Sequence, residues 1–132
     1  MQHHASRKIE LSLRHLFGEV DAFLEEKFGD RYSLHPARAP RGTTSHYAHD
    51  GLFDVGASFS AGYGSRFGRG YVIDVRMVTL EWVPEAEREE IIDAAVEKVR
   101  ELLPRYFPDR DLAVSRDRQV FKIHGDLSLG RV

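Results

Sequence analysis

The feature that most constrains the fold is a change in the spacing of apolar residues along the chain. Up to residue 28 they recur every three or four positions, which is the repeat of an amphipathic helix with one buried side. From residue 52 to residue 61 they alternate with small or polar residues, as in a strand with one buried face. The helical positions are Ile9, Leu13, Leu16, Phe17, Val20, Phe23, Leu24 and Phe28.

The ends of the first helix are predicted from two local signals. Ser6 is suited to cap its N-terminus, and Gly29 stands where a left-handed residue commonly closes a helix. After it, Tyr32 to His35 is interpreted as a short edge strand. Residues 36–50 then form a loop of proline, glycine and small polar residues, and loops this long in compact domains are often functional.

Two hairpins and a second helix follow. The alternation from residue 52 continues after a glycine-rich turn through residues 71–77 and changes phase at Val78, Leu80 and Trp82, which indicates a bulge or a strand covered on both faces. Pro84 opens a helix whose apolar stripe ends near Pro104. Residues 112–115 and 120–124 read as two short strands.

This order of elements predicts one α+β domain spanning residues 1–132. We expect a two-layer sandwich in which an antiparallel sheet carries two amphipathic helices on one face. The other face of the sheet would carry polar side chains and would be partly open to water.

Composition narrows the classes of function. The chain has no cysteine, which rules out disulfides and thiolate metal sites, and its net charge of −2 does not favour nucleic acid. It shows no signal peptide and no run of apolar residues long enough to cross a membrane, so we expect a cytoplasmic protein. No motif names a cofactor, an enzymatic reaction or an oligomeric state.

The glycine-rich turn GYGSRFGRG is the first candidate site. Glycines let backbone amides approach a ligand closely, and arginines form paired hydrogen bonds with phosphate or carboxylate. The ligand-binding candidates are Gly64, Arg66, Gly68 and Arg69. Because the turn joins two strands and does not open a helix, the alternative is a flexible hairpin loop.

A histidine-bearing segment, HYAHD, is the second candidate. His46, His49 and Asp50 are residue types that bind zinc, manganese or iron, and two of them stand three positions apart. The spacing matches no metal-binding signature, and the alternative is a solvated or structural role.

Polar residues on the first hairpin are the third candidate. If residue 61 pairs with residue 71, Asp54 lies diagonal to Arg76 and Ser58 faces Asp74. The plain interpretation is a structural ion pair on a half-exposed face.

The order of elements over residues 6–115 also resembles the core of restriction-endonuclease-like nucleases. In that family one strand carries an Asp, the next carries Asp/Glu-x-Lys, and the carboxylates hold magnesium. The resemblance implies that Asp54 and Asp74 are metal ligands and catalytic, with Arg76 at the place of the lysine. That departure matters, because a guanidinium is a poor proton donor or acceptor.

The leading hypothesis is a binding or interaction domain that takes a small anionic ligand or a protein partner at the glycine turn and the long loop. The alternative is a divalent-metal-dependent hydrolase, nuclease-like, that uses Asp54 and Asp74. The acidic residues that recur along the second helix are either a solvated face or a docking surface for a basic partner.

Overall fold

The computed structural model describes residues 4–44 and 50–127, with side chains from residue 7 onward. They form two helices and four strands: α1 (His4–Phe28), β1 (Phe53–Ser60), β2 (Gly70–Met77), α2 (Glu85–Tyr106), β3 (Leu112–Asp117) and β4 (Val120–Gly125). The fold is α+β, as predicted.

Helix α1 buries the apolar stripe that the sequence predicts. Phe17 is 1% exposed and Val20 and Leu24 are fully buried, whereas Phe23 is only partly buried at the edge of the core. The helix already begins at His4, so Ser6 lies inside it and does not cap it. Gly29 does not adopt the predicted left-handed conformation. A glycine fits there for another reason, since a Cβ atom would lie 2.3 Å from the carbonyl oxygen of Glu25.

The four strands form one antiparallel sheet in the order β1-β2-β4-β3. In the first hairpin Asp54 pairs with Arg76 and Gly56 pairs with Asp74. The register inferred from the sequence is therefore displaced by two residues. Because side chains alternate with a period of two, this displacement keeps every residue on its predicted face.

Two predicted strand segments are not strands. Tyr32 to His35 has no ladder, and its backbone is held by a bond from the His35 amide to the Val78 carbonyl at 2.9 Å. The segment after Met77 leaves the sheet, so the change of phase there marks the end of β2 and neither a bulge nor a doubly covered strand. Leu80 and Trp82 are accordingly exposed in the connection to α2.

Both helices pack on the same face of the sheet, which makes two layers. Their stripes meet each other and the apolar face formed by Phe53, Val55 and Ile123. Helix α2 runs to Tyr106, two residues past Pro104. In the part of the chain that the structure describes, no helix is both long and apolar enough to cross a membrane.

Replacing Phe17 with alanine is expected to lower the free energy of unfolding by about 3–5 kcal/mol, because a fully enclosed ring leaves a cavity between α1 and the sheet. Denaturant titration measures the loss. Phe59→Ala is the matched control, since Phe59 is 59% exposed and its loss should cost less than about 1 kcal/mol. Equal losses in the two variants would contradict this account of the core.

Candidate functional site

The glycine turn between β1 and β2 folds back over the face of the sheet that the helices leave uncovered. A lysine on that face, Lys122 of β4, has only 2% of its surface exposed. Its Nζ donates to Ser65 Oγ at 2.9 Å and to the Gly68 carbonyl at 2.8 Å, and both acceptors belong to the turn. The turn is therefore attached to the sheet through the end of one side chain.

Asp117 of β3 completes this attachment. Its Oδ2 lies 3.0 Å from Lys122 Nζ and accepts a hydrogen bond from Ser65 Oγ at 2.5 Å. The Ser65 hydroxyl and the Lys122 ammonium together hold the pKa of Asp117 below its ordinary value. Ser65 Oγ thus donates to Asp117 and accepts from Lys122, so the three side chains form one connected polar contact between the turn and the sheet.

Glycine is required at both ends of the turn. Gly62 has φ +83°, and a Cβ atom there would lie 2.1 Å from the carbonyl carbon of Gly68. At Gly70 a Cβ atom would lie 2.3 Å from the Ile123 carbonyl oxygen and 2.8 Å from Cγ of Lys122, so only glycine leaves room for the neighbouring strand and the lysine stem. Both ends of the turn are therefore closely packed, one against the turn itself and the other against β4.

A cavity of about 460 Å³ lies beside the turn. Its lining includes Tyr63, Gly64 and Ser65 from the turn, Lys122 from β4 and Arg118 from the turn between β3 and β4. Arg118 has a φ of 62° and donates from Nη2 to the Gly64 carbonyl at 3.5 Å.

Of the four predicted ligand-binding residues, Gly64 alone lines this cavity, whereas Arg66, Gly68 and Arg69 do not. Gly68 lies next to it through its bond to Lys122. The Arg66 guanidinium lies 5.2 Å from the centroid of the Phe67 ring, and Arg69 donates to the Leu127 carbonyl at 3.4 Å. Phe67 in turn packs on His124, with ring centroids 4.7 Å apart.

The segments around the cavity carry a net positive charge, whereas the whole protein carries a net negative charge. Residues 60–70 and 117–122 hold four cationic side chains and one carboxylate, a net charge of +3 in a chain of net charge −2. Sequence reasoning missed Arg118, Lys122 and Asp117, because only the pairing of β2 with β4 brings them to the turn. The alternation along β4 was the one signal in the sequence, because it places Lys122 on the opposite face from its apolar neighbours Phe121 and Ile123.

The nuclease-like candidates lie together on the same sheet face, in the first hairpin. Arg76 Nη2 donates to Asp54 Oδ2 at 2.8 Å, and Asp74 is exposed opposite Gly56. The side chains of Arg76 and Asp54 are 66% and 33% exposed, and ion pairs this accessible contribute little to stability.

Of the three predicted metal ligands, only Asp50 lies within the described residues. His46 and His49 fall outside the described residues, whereas Asp50 is 1% exposed. Asp50 Oδ2 accepts bonds from the amide and the hydroxyl of Thr44, both at 2.9 Å. Burial alone would raise its pKa, but the Thr44 bonds and Arg41 outweigh burial and hold the pKa below its ordinary value. Within residues 4–44 and 50–127, no three histidine or carboxylate side chains are grouped as metal ligands.

A buried acid on α1, Asp21, is the second feature that sequence reasoning missed. It is fully buried, and Arg41 Nη1 lies 3.0 Å from its Oδ2. That pair lacks the angles of a hydrogen bond, and neither oxygen accepts one from any described residue. Desolvation is the main reason that the pKa of Asp21 rises to about 7, with Glu25 and Asp50 adding to the rise and Arg41 opposing it. An acid within the apolar stripe of α1, between Phe17 and Leu24, was the sequence signal.

Replacing Asp21 with asparagine is expected to make the stability of the protein less sensitive to rising pH. Because the folded-state pKa lies above the unfolded one, the native protein binds the extra proton and loses stability as pH rises from about 4 to about 7. Because asparagine cannot ionise, the free energy of unfolding of the variant should rise relative to that of wild type across that window, by as much as a few kcal/mol. Unfolding curves at several pH values measure the difference, and parallel profiles would contradict the assignment.

Comparisons with known proteins add the family and no function. A relative from Borreliella burgdorferi strain B31, an uncharacterized protein, is 41% identical over 118 residues, which cover 89% of this chain and 92% of the relative. No solved structure matches the chain. A family model described as "Uncharacterised protein" matches residues 4–125, and this chain therefore belongs to that family.

Proposed function

We propose that this protein is a binding domain whose ligand is a small molecule carrying a phosphate or carboxylate group, held at the glycine turn. The observation that carries the proposal is the cavity of about 460 Å³, whose lining has a net charge of +1, from Arg118 and Lys122 against Asp117. Arg66 and Arg69 on the same turn bring the charge of residues 60–70 and 117–122 to +3. A cationic concave site attracts anions and raises their local concentration. In a protein of net charge −2, this local excess is not a consequence of overall composition.

The attachment of the turn to Lys122 supports binding because it reduces the entropy that a ligand must overcome. A free glycine-rich loop would lose conformational freedom when it closes on an anion. Here the Ser65 hydroxyl and the Gly68 carbonyl already hold the turn against the sheet. The ligand would meet a turn that has its bound shape beforehand.

Arg118 is the main anchor in this proposal, and Arg66 and Arg69 are its neighbours on the turn. Arg118 lines the cavity, its side chain is exposed, and its bond to the Gly64 carbonyl at 3.5 Å is long. A guanidinium that exchanges such a bond for a carboxylate or phosphate gains a shorter, charge-assisted bond. Tyr63, 96% exposed at the rim, offers a ring to any flat part of the ligand.

Replacing Arg118 with glutamine is expected to weaken anion binding by about ten-fold or more, since hydrogen bonds to charged groups contribute about 1.5–3 kcal/mol. The double variant Arg66→Gln with Arg69→Gln should also weaken binding, because it removes two positive charges from the same turn. Calorimetric titration with inorganic phosphate, adenine nucleotides and dicarboxylates measures the affinities.

The matched control is Arg105→Gln, which removes one exposed arginine from α2, where it pairs with Glu19 at 3.4 Å. This variant should bind as wild type does. If wild type binds none of these anions at millimolar concentration, or if the Arg118 and Arg105 variants bind alike, the glycine turn is not an anion site.

A further inference from the structure

A second concave surface lies on the helix side of the sheet, away from the glycine turn. This groove has a volume of about 540 Å³ and runs between the later half of β2 and the first half of α2. The turn between β3 and β4 closes one end of it through Gln119 and Val120. Its lining differs in charge from that of the anion cavity, so the two surfaces suit different ligands.

One side of the groove is an open strand edge. Strand β2 pairs with β4 only at Tyr71, Val72 and Ile73, although the strand continues to Met77. Residues 74–77 pair with β1 on one side and, in the described parts of the chain, with no strand on the other. Backbone groups along such an edge can pair with an additional strand.

The floor of the groove is apolar. It is formed by Ile73 and Val75 of β2, Ile92 of α2 and Phe121 of β4. Val75, Ile92 and Phe121 are each only partly buried, so an apolar side chain placed here would remove their surfaces from water.

The wall of the groove is acidic: its lining holds four carboxylates, of Asp74, Glu85, Glu89 and Asp93, and one cation, Arg116, a net charge of −3. Glu85, Glu89 and Asp93 line it from α2, and no lysine or arginine in residues 4–44 or 50–127 forms an ion pair with any of the three. Further along the same helix, Glu97 pairs with Arg100, and Glu101 pairs with Lys98 at 3.2 Å. The helix dipole accounts for an acid in the first turn, such as Glu85, but its effect falls off before Glu89 and Asp93.

We propose that this groove binds an extended, basic segment of a protein partner, which adds a strand to the open edge of β2 at residues 74–77. Main-chain bonds to β2 would fix the direction and register of the segment. On its side facing α2, lysine or arginine side chains would pair with Glu85, Glu89 and Asp93, and alternate apolar side chains would cover the floor. The proposed anion site lies toward the opposite face of the sheet, and the two surfaces share Gln119 and Val120 of the turn between β3 and β4.

The probe is a blocked heptapeptide, Lys-Thr-Val-Thr-Lys-Thr-Val, whose alternate residues present lysine and valine on one side of a strand. Trp82 is the single tryptophan of the chain, is 81% exposed and precedes α2 by a few residues, so its fluorescence can report binding. Hydrogen exchange locates the contact. We expect saturable binding together with slowed exchange of the amides at residues 74–77.

Three changes test the separate parts of the proposal. Replacing both lysines of the peptide with glutamate should weaken binding at least ten-fold. Methylating alternate backbone nitrogens, on the edge of the peptide that would pair with β2, should weaken it as much. The triple variant Glu85→Gln, Glu89→Gln and Asp93→Asn should have the same effect. Its control is the double variant Glu97→Gln and Glu101→Gln, whose affinity should stay within two-fold of wild type.

The proposal is overturned if the lysine peptide does not bind at millimolar concentration or if binding leaves exchange at residues 74–77 unchanged. Equal binding of the methylated peptide would exclude strand addition. Equal losses in the triple variant and in its control would show a general response to charge and no docking site.

Discussion

Both helices pack on the same face of a four-stranded sheet, and the rest of the structure depends on this one-sided burial. The apolar stripes of α1 and α2 meet over Phe53, Val55 and Ile123, which removes the largest continuous apolar surface from water. Neither α1 nor α2 covers the opposite face, where polar side chains make the contacts. The glycine turn supplies them at one end, and the Asp54–Arg76 pair lies in the first hairpin.

The two buried charges show how differently a charge can be accommodated. Lys122 has three oxygen partners within 3.0 Å, so the cost of its desolvation is offset by hydrogen bonds and by the charge of Asp117. Asp21 has an arginine nearby but no hydrogen bond from any described residue, and its pKa rises to about 7. The first arrangement holds a turn against the sheet, whereas from the second we expect the stability of the fold to depend on pH.

The distribution of charge separates the two proposed binding surfaces. Cationic side chains gather where the glycine turn meets the turn between β3 and β4, and Glu85, Glu89 and Asp93, which form no ion pair with any described residue, gather along the first half of α2. Among the described residues, no helix lies over the first surface, and β4 leaves residues 74–77 of β2 unpaired at the second. An anion and a basic peptide would therefore bind on opposite faces of the same sheet.

Much of the fold was predictable from the sequence alone, because it rests on local periodicity. The spacing of Phe17, Val20 and Leu24 determines a helix and its buried side, and the alternation of Phe53, Val55 and Ala57 determines a strand and its inner face. Glycine and proline mark the connections. The register of the first hairpin was misjudged by two residues because the turn is long and has no fixed two-residue geometry. The glycine turn was recognised as a candidate, but its chemistry was assigned to the arginines that lie within it.

Only the tertiary structure decided which distant residues meet. Lys122 reaches Ser65, and Arg118 reaches Gly64, because β4 inserts between β2 and β3, and strand order has no local signal in the chain. The burial of Asp21 likewise depends on Arg41 and Asp50 folding over α1 from a segment without periodicity. Periodicity shows which side of an element is buried, since that follows from the repeat of the backbone. It does not show what covers that side, because contacts between elements depend on how the whole chain packs.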